Sequence, residues 1–339
     1  MKTIRLGKTG LEVSRIGFGG IPIMRLAEDE AIKVVQRCLD LGVTFLDTAN
    51  GYGTSEERIG KAIAGRREQI VIATKTGARD RATAQEHLEL SLKRLNTDYI
   101  DLWQFHNIST FEAYDQVLGP DGAMEAAQEA LRAGKIRHIG ITSHSMDVAL
   151  KAVPSGHFET VQFPFNFVTN EAATELIPLA HKHDVGFISM KPMAGGLLDN
   201  AKLAIKYVLK FDNIVPDPGI ERIEEIEEIV GIVQGPWELT SQEQREIERI
   251  RAQVGTRFCR RCGYCEPCPQ GVSIVTIMVL RSFCKRLPAE WLFTGWIGQA
   301  VESADNCIEC GECEEKCPYR LPIREMIVEN VEFYENVAP

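Results

Sequence analysis

The chain has 339 residues, room for one large domain or two ordinary ones, with 44% hydrophobic and 25% charged residues as in globular proteins. A net charge of −10 without a sustained Lys/Arg block argues against nucleic acid or an anionic membrane as the main partner. No apolar run reaches the ~20 residues of a membrane span, and the N-terminus lacks the apolar core of a secretory signal, so a cytoplasmic protein is expected. Of ten cysteines only Cys38 precedes Cys259, and the other nine fall in the last 81 positions. That asymmetry marks two domains and, in a chain that is not exported, points to metal binding.

Residues 2–6 and 11–13, joined across Gly7-Lys8-Thr9-Gly10, read as a hairpin. Strand-like and helix-like stretches then alternate. Strands at 14–18, 43–47 and 69–75 precede helices at 28–41, 55–64 and 82–95. The strand at 99–106 is followed by a long loop and a helix at 123–133. Strands at 137–142, 160–163, 185–190 and 213–215 precede helices at 146–152, 171–183, 200–210 and 221–233. Eight units with short apolar strands predict an α/β fold, a (β/α)8 TIM barrel over residues 1–235. The alternative, an open doubly wound sheet, usually has fewer units and a Gly-X-Gly-X-X-Gly turn after an early strand; this sequence has no such turn.

In such a barrel the working residues sit at the carboxyl ends of the strands. Asp47 ends the second strand, with Tyr52 in the glycine-rich turn beyond it; Lys75 ends the third and His106 the fourth. Reducing a carbonyl needs a proton donor within hydrogen-bond reach. A phenol is a sluggish acid near neutrality, but the Lys75 ammonium favours its phenolate and Asp47 can hold that ammonium. His106 can orient the substrate oxygen or pass the proton. Phe111 and Tyr114, in the loop over 107–122, are candidate walls for the substrate.

These residues carry a resemblance. Asp47-Thr48-Ala49, Tyr52-Gly53, Ser55-Glu56, Ile59-Gly60, Thr74-Lys75, Ser91-Leu92-Lys93-Arg94-Leu95 and Asp98-Tyr99-Ile100-Asp101-Leu102 up to His106 resemble the aldo/keto reductase family, as do Gly134-Lys135-Ile136-Arg137 and Val161-Gln162. The resemblance implies NADPH- or NADH-dependent interconversion of a small carbonyl and its alcohol, with Asp47, Tyr52, Lys75 and His106 as a catalytic tetrad. It also implies that Ser143, His144 and Gln162 hold the nicotinamide carboxamide, with His144 where Asn is usual. By the same resemblance Met190, followed by Lys191, stands where a Tyr usually stacks on the ring, and Gly195-Gly196-Leu197 is expected to form a loop that closes over the pyrophosphate. Gly219, Glu221 and Arg222 fall in the phosphate and adenine segment. Glu221 would repel a 2′-phosphate and can bind a free ribose hydroxyl, whereas Arg222 pulls the other way.

A charged helical linker over 236–256 leads to a tail over 257–339. It holds Cys259-X2-Cys262-X2-Cys265-X2-Cys268-Pro269 and Cys307-X2-Cys310-X2-Cys313-X3-Cys317-Pro318. Three cysteines at three-residue steps wrap three corners of a cubic cluster, and a remote Cys-Pro closes the fourth. Zinc sites use separated Cys-X2-Cys pairs and fit less well. The tail resembles a bacterial two-cluster ferredoxin with helical insertions near 273–280 and 290–301, which implies two [4Fe–4S] clusters. The implied pairing is Cys259, Cys262 and Cys265 with Cys317, and Cys307, Cys310 and Cys313 with Cys268; the short step to Cys268 leaves Cys284 as an alternative ligand. Arg257, Arg260, Arg261, Lys316 and Arg320 near the cysteines would offset the clusters' negative charge.

The expected function is therefore an aldo/keto reductase-type oxidoreductase carrying iron–sulfur clusters. Two alternatives stand beside it: an electron-transfer protein whose clusters serve a redox-protein partner, and clusters that are structural staples. Hydride moves two electrons and a cluster one, so coupling them normally needs a flavin, and no flavin motif is present.

Overall fold

The structure, a computed structural model, describes residues 1–337. The chain forms two compact units, one of residues 1–194 and 198–239, the other of residues 195–197 and the chain from 240 onward.

The first unit begins with an antiparallel hairpin, β1 (Thr3–Arg5) and β2 (Glu12–Ser14). Eight parallel strands follow in sequential order: β3 (Gly17–Gly19), β4 (Phe45–Asp47), β5 (Val71–Thr76), β6 (Ile100–Phe105), β7 (Ile136–Thr142), β8 (Thr160–Pro164), β9 (Gly186–Met190) and β10 (Ile214–Asp217). A parallel bridge between Gly19 and Gly219 joins the two ends, so the sheet is a nearly closed barrel. The helices between the strands are α1 (Glu28–Asp40), α2 (Ser55–Ala62), α3 (Arg81–Leu95), α4 (Phe111–Leu118), α5 (Ala123–Arg132), α6 (Met146–Ala152), α7 (Leu176–Lys182), α8 (Ala201–Leu209) and α9 (Ile223–Gln234).

The hairpin decides which end of the barrel is open. Leu6 and Val13 pack, fully buried, on Phe45, Ala73, Leu102, Ile188 and Val215, which lie inside the barrel. Each such side chain contributes about 1.5–3 kcal/mol of burial free energy. The hairpin runs close against the start of β9: a Cβ on Gly7, whose φ is +53°, would lie 2.2 Å from the Gly186 nitrogen. That end is plugged, which leaves the carboxyl ends of the strands for a ligand.

Local chemistry sets the helix limits. Asp80 accepts from the Thr83 amide at 2.9 Å to start α3, and Asn96 ends it in the left-handed region at φ 51°. Helix α2 lies so close to α3 that a Cβ on Gly60 would sit 2.5 Å from the Arg94 carbonyl oxygen. Gly60→Ala is expected to cost about 1–3 kcal/mol, seen as a lower urea midpoint at unchanged slope; an unchanged midpoint would show that the two helices separate freely.

Two expectations needed correction. The stretch expected to be a long loop contains α4, capped by Thr110 accepting from the Ala113 amide. It turns Tyr114 inward, 4% exposed and edge-on to Phe158 at 6.2 Å, while Phe111 is 46% exposed. The Lys151 ammonium lies over both rings, 5.1 Å from Phe111 and 4.6 Å from Tyr114. The helix expected over 171–183 is broken into a 3-10 turn, Glu171–Ala173, and α7.

The second unit is helical: α10 (Ser241–Val254), then α11 (Ile274–Met278), α12 (Leu280–Cys284), α13 (Ala289–Leu292), α14 (Gly295–Glu302), α15 (Glu312–Glu315) and α16 (Ile323–Val337). A capping box of Thr240 and Glu243 starts α10. Helix α16 packs on α11 and α12, burying Ile274, Ile277, Leu280, Ile323 and Ile327.

Candidate active site and metal centres

At the open end of the barrel, β4, β5 and β6 set their last residues side by side, with Asp47 in register with Ala73, and Lys75 with Gln104. Lys75 is 2% exposed, and its ammonium donates to Asp47 Oδ2 and, at 2.6 Å, to the Thr48 carbonyl. It lies 5.1 Å from the centre of the Tyr52 ring. Tyr52 in turn stands edge-on to the His106 ring at 5.5 Å. All four residues expected from the strand ends thus meet. Burial disfavours the Lys75 charge, but Asp47, Tyr52 and Asp217 outweigh it and hold its pKa above the ordinary lysine value.

Three residues around this group were not singled out from the sequence. Gln104, fully buried on β6, donates from Nε2 to Asp47 Oδ1 at 3.2 Å. Asp217 ends β10 and is buried beside Gln162. Arg79, after β5, donates to the His106 carbonyl at 3.0 Å and the Asn107 carbonyl at 3.2 Å, tying two rim loops together. Burial lowers its pKa. A signal existed for Asp217, since it closes the eighth strand as Asp47 closes the second.

The residues expected around the nicotinamide are brought near one another and are already engaged. The Ser143 amide donates to the Gln162 carbonyl at 3.1 Å, and Ser143 Oγ donates to the Ser145 carbonyl at 3.1 Å. Gln162 turns its Nε2 inward, 3.3 Å from both Asp47 Oδ2 and Asp217 Oδ2. His144 lies between Asn107 Oδ1, 3.0 Å from Nδ1, and Lys191 Nζ, 2.6 Å from Nε2. An ammonium only donates, so Nε2 accepts and Nδ1 carries the hydrogen given to Asn107. Lys191 follows Met190 with a left-handed φ of 56°. Met190 is in register with Pro164 and Asp217 at the same rim.

Gly219 forms the bridge that closes the barrel, and Glu221 and Arg222 lead into α9. Glu225 accepts from the amides of both, at 3.0 and 3.2 Å, and also binds the Arg222 guanidinium. A carboxylate thus occupies the N-cap amide and the one before it at the start of α9. Arg25 Nη2 donates to Glu221 Oε1 at 3.0 Å and lies 3.0 Å from Oε2 as well, so both oxygens of the carboxylate face the guanidinium. Burial, opposed by Arg25, raises the Glu221 pKa. Gly195 and Gly196, with φ of 73° and 84°, belong with Leu197 to the second unit.

In that unit the cysteines line two separate spaces. Cys259, Cys262, Cys265 and Cys317 surround one, with Tyr319 and Leu321. Cys268, Cys307, Cys310 and Cys313 line the other, together with Cys265, which lines both. Burial first, then the neighbouring Cys262 and Cys317, push the Cys259 thiol up to about 11; burial and Cys259 push Cys265 up to about 12. Crowded thiols of this kind ionise readily only against a metal charge. Among the described residues no three or more His, Cys, Asp or Glu side chains are arranged for a single ion; four sulfurs around a larger space suit a polynuclear cluster. Cys284 lines neither space.

Comparisons with known proteins fall on the same two regions. The sequence profile of the aldo/keto reductase family matches residues 15–203, and that of a 4Fe-4S dicluster domain matches residues 258–322. Aldo-keto reductase YhdN of Bacillus subtilis is 34% identical over 235 residues, 63% of this chain and 68% of its own length. L-galactose dehydrogenase of Arabidopsis thaliana is 34% identical over 212 residues, 57% of this chain and 66% of its own. Among solved structures, the holo form of aldo-keto reductase AKR11C1 from Bacillus halodurans has a TM-score of 0.65 at 27% identity, over 74% of this chain and 96% of that one. An aldo-keto reductase from Klebsiella pneumoniae in complex with NADPH shares the fold, with a TM-score of 0.63 at 23% identity over 76% and 98%.

Proposed function

The chain belongs to the aldo/keto reductase family of oxidoreductases and carries a 4Fe–4S dicluster domain, and from that premise we propose that its barrel interconverts a small carbonyl compound and its alcohol with Tyr52 as the proton donor. The observation that carries this reading is the buried Lys75 ammonium, bound to Asp47 and 5.1 Å from the Tyr52 ring. An ammonium so placed favours phenolate over phenol, which makes Tyr52 a better acid in reduction and its phenolate a usable base in oxidation. Asp47, held in turn by Gln104 and Gln162, keeps the ammonium from swinging away. His106, edge-on to Tyr52, orients the substrate oxygen.

A bound nicotinamide dinucleotide supplies the hydride in such chemistry. Ser143, His144, Gln162, Met190 and Lys191 would hold its nicotinamide end, and Gly219, Glu221 and Arg222 its adenosine. The negative charges of Glu221 and of the Glu225 cap on α9 favour NADH over NADPH, since each would repel a 2′-phosphate. Glu221→Ser is expected to raise NADPH affinity relative to NADH by about tenfold, the effect of roughly one carboxylate–phosphate repulsion in a half-buried site; titration of nicotinamide fluorescence reads it, and an unchanged ratio refutes the preference.

In the tail, Cys259, Cys262, Cys265 and Cys317 would ligate one [4Fe–4S] cluster, and Cys268, Cys307, Cys310 and Cys313 the other. A second reading, electron exchange with a redox-protein partner, is favoured by one observation: Cys310 is exposed and the nearby Ile308 is 64% exposed. No helix among the described residues is long and apolar enough to cross a membrane. The test is to purify the protein anaerobically, offer NADH or NADPH with a panel of aldehydes and ketones, and follow nicotinamide oxidation. Absence of turnover with every carbonyl overturns the reductase reading. Oxidation of pre-reduced clusters by a ferredoxin or flavodoxin, followed by paramagnetic resonance, tests the second.

A further inference from the structure

The proton-transfer group contains one carboxylate more than the reaction needs. Asp217, at the end of β10, is 6% exposed and lies against Gln162, whose single Nε2 is 3.3 Å from Asp217 Oδ2 and 3.3 Å from Asp47 Oδ2. An amide nitrogen has two hydrogens, so this one can serve both carboxylates at once. Gln104 Nε2, 3.5 Å from Gln162 Oε1 and 3.2 Å from Asp47 Oδ1, sets which way the Gln162 amide faces.

Space for the second carboxylate is made across the closing seam of the barrel. A Cβ on Gly17 of β3 would lie 3.1 Å from Asp217 Oδ1, tighter than ordinary contact. Titratable groups coupled to Asp217 include Asp47 on β4, reached through Gln162, and the Lys75 ammonium on β5, whose charge Asp217 stabilises. Tyr52 is reached through Lys75, 5.1 Å from its ring, and also faces the titratable His106 imidazole at 5.5 Å.

We propose that Asp217 is a positioning residue for proton transfer: with Asp47 it grips Gln162 and shares the Lys75 charge, so that Tyr52 gives up its proton at higher pH than it would beside a single carboxylate. The physical cause is like-charge repulsion. Two buried carboxylates against one ammonium leave an excess of negative charge, and ionising a phenol nearby adds more. The consequence is a Tyr52 that stays protonated, and so remains a donor, further into the alkaline range. This deepens the reading of Tyr52 as the acid and rests on it.

The test uses the full-length, cluster-loaded protein and needs no substrate. The near-ultraviolet tyrosinate band is titrated in the protein and in Asp217→Asn, each with and without Tyr52→Phe, so that the difference isolates the Tyr52 step. The step is expected to fall by about one pH unit in Asp217→Asn, and to stay near its original position in Asp217→Glu, which keeps the charge. In carbonyl reduction the alkaline limb of kcat/KM moves down with it. A Tyr52 step that does not move, or moves upward, in a folded Asp217→Asn overturns the proposal, as does an equal fall in Asp217→Glu. If Asp217→Asn fails to fold, Asp217→Ser read against Asp217→Glu supplies the same comparison. Failure of the underlying reading shows elsewhere, as full turnover in Tyr52→Phe, whatever the titration gives.

Discussion

Tyr52→Phe is expected to lower carbonyl reduction by at least about 10²–10⁴-fold, the usual contribution of a positioned general acid, while dinucleotide affinity is unchanged. The substitution removes one oxygen and leaves a ring of the same shape edge-on to His106, so packing and the pocket are preserved. Lys75 and Asp47 remain bound to each other, and the loss isolates the proton itself. Lys75→Met is a poorer probe, because it leaves Asp47 buried without its ammonium, and a stability loss then mixes with the catalytic one. Single-turnover kinetics with a saturating dinucleotide separate the two effects: binding amplitude persists and the chemical step slows. Undiminished turnover in Tyr52→Phe would assign the proton to another group, with His106 the neighbour best placed.

The second large effect concerns the cysteines. Cys317 is buried and shares a space with Cys259, Cys262 and Cys265, whereas Cys268 shares one with Cys307, Cys310 and Cys313. The double variant Cys259→Ala/Cys317→Ala therefore damages a single ligand set and is expected to keep about half of the iron and sulfide, one cubane of two. If each motif instead closed its own cluster, the same double variant would damage both sets and lose nearly all of it. Cys268→Ala/Cys307→Ala makes the reciprocal case. Anaerobic iron and sulfide counts decide between the arrangements, and the visible charge-transfer band gives an independent reading. Barrel turnover in these variants then tells whether the clusters take part: retention points to staples or to a separate partner, and loss to coupling between the two chemistries.

Much of the barrel was legible because its code is local. Apolar runs of strand length alternate with helical stretches, and Asp80, Asn96 and the Thr240–Glu243 box mark helix ends within a turn of where they act. Strand ends are local features too, so Asp47, Lys75 and His106 could be named from their positions alone, and Tyr52 from the turn that follows. The stretch around α4 was harder to read. Its cap, Thr110, precedes only eight residues whose inward face is essentially Tyr114 and Val117, too short a pattern to separate a helix from a loop. The direction in which Tyr114 points was then set by Phe158, which arrives from a later unit.

The nicotinamide pocket shows the other limit. The family resemblance puts Ser143 and Gln162 at the nicotinamide, yet the Gln162 amide is held between two carboxylates, and Glu225 takes the Glu221 and Arg222 amides before α9. No sequence window contains those facts, since Gln162 and Asp47 are 115 residues apart and Gln162 and Asp217 are 55 apart.

Sequence alone determined the repeating strand–helix order, the rim positions of Asp47, Tyr52, Lys75 and His106, and the two cysteine motifs, because periodicity, turn residues and spacing act over a few residues. Tertiary structure decided which groups share a charge or a space. Closure of the barrel brings the eighth strand beside the first and carries Asp217 to Gln162 and Lys75. Folding of the tail carries Cys317 back to Cys259. Electrostatic coupling and ligation depend on distance through space rather than along the chain, so they exist only once the chain has closed on itself.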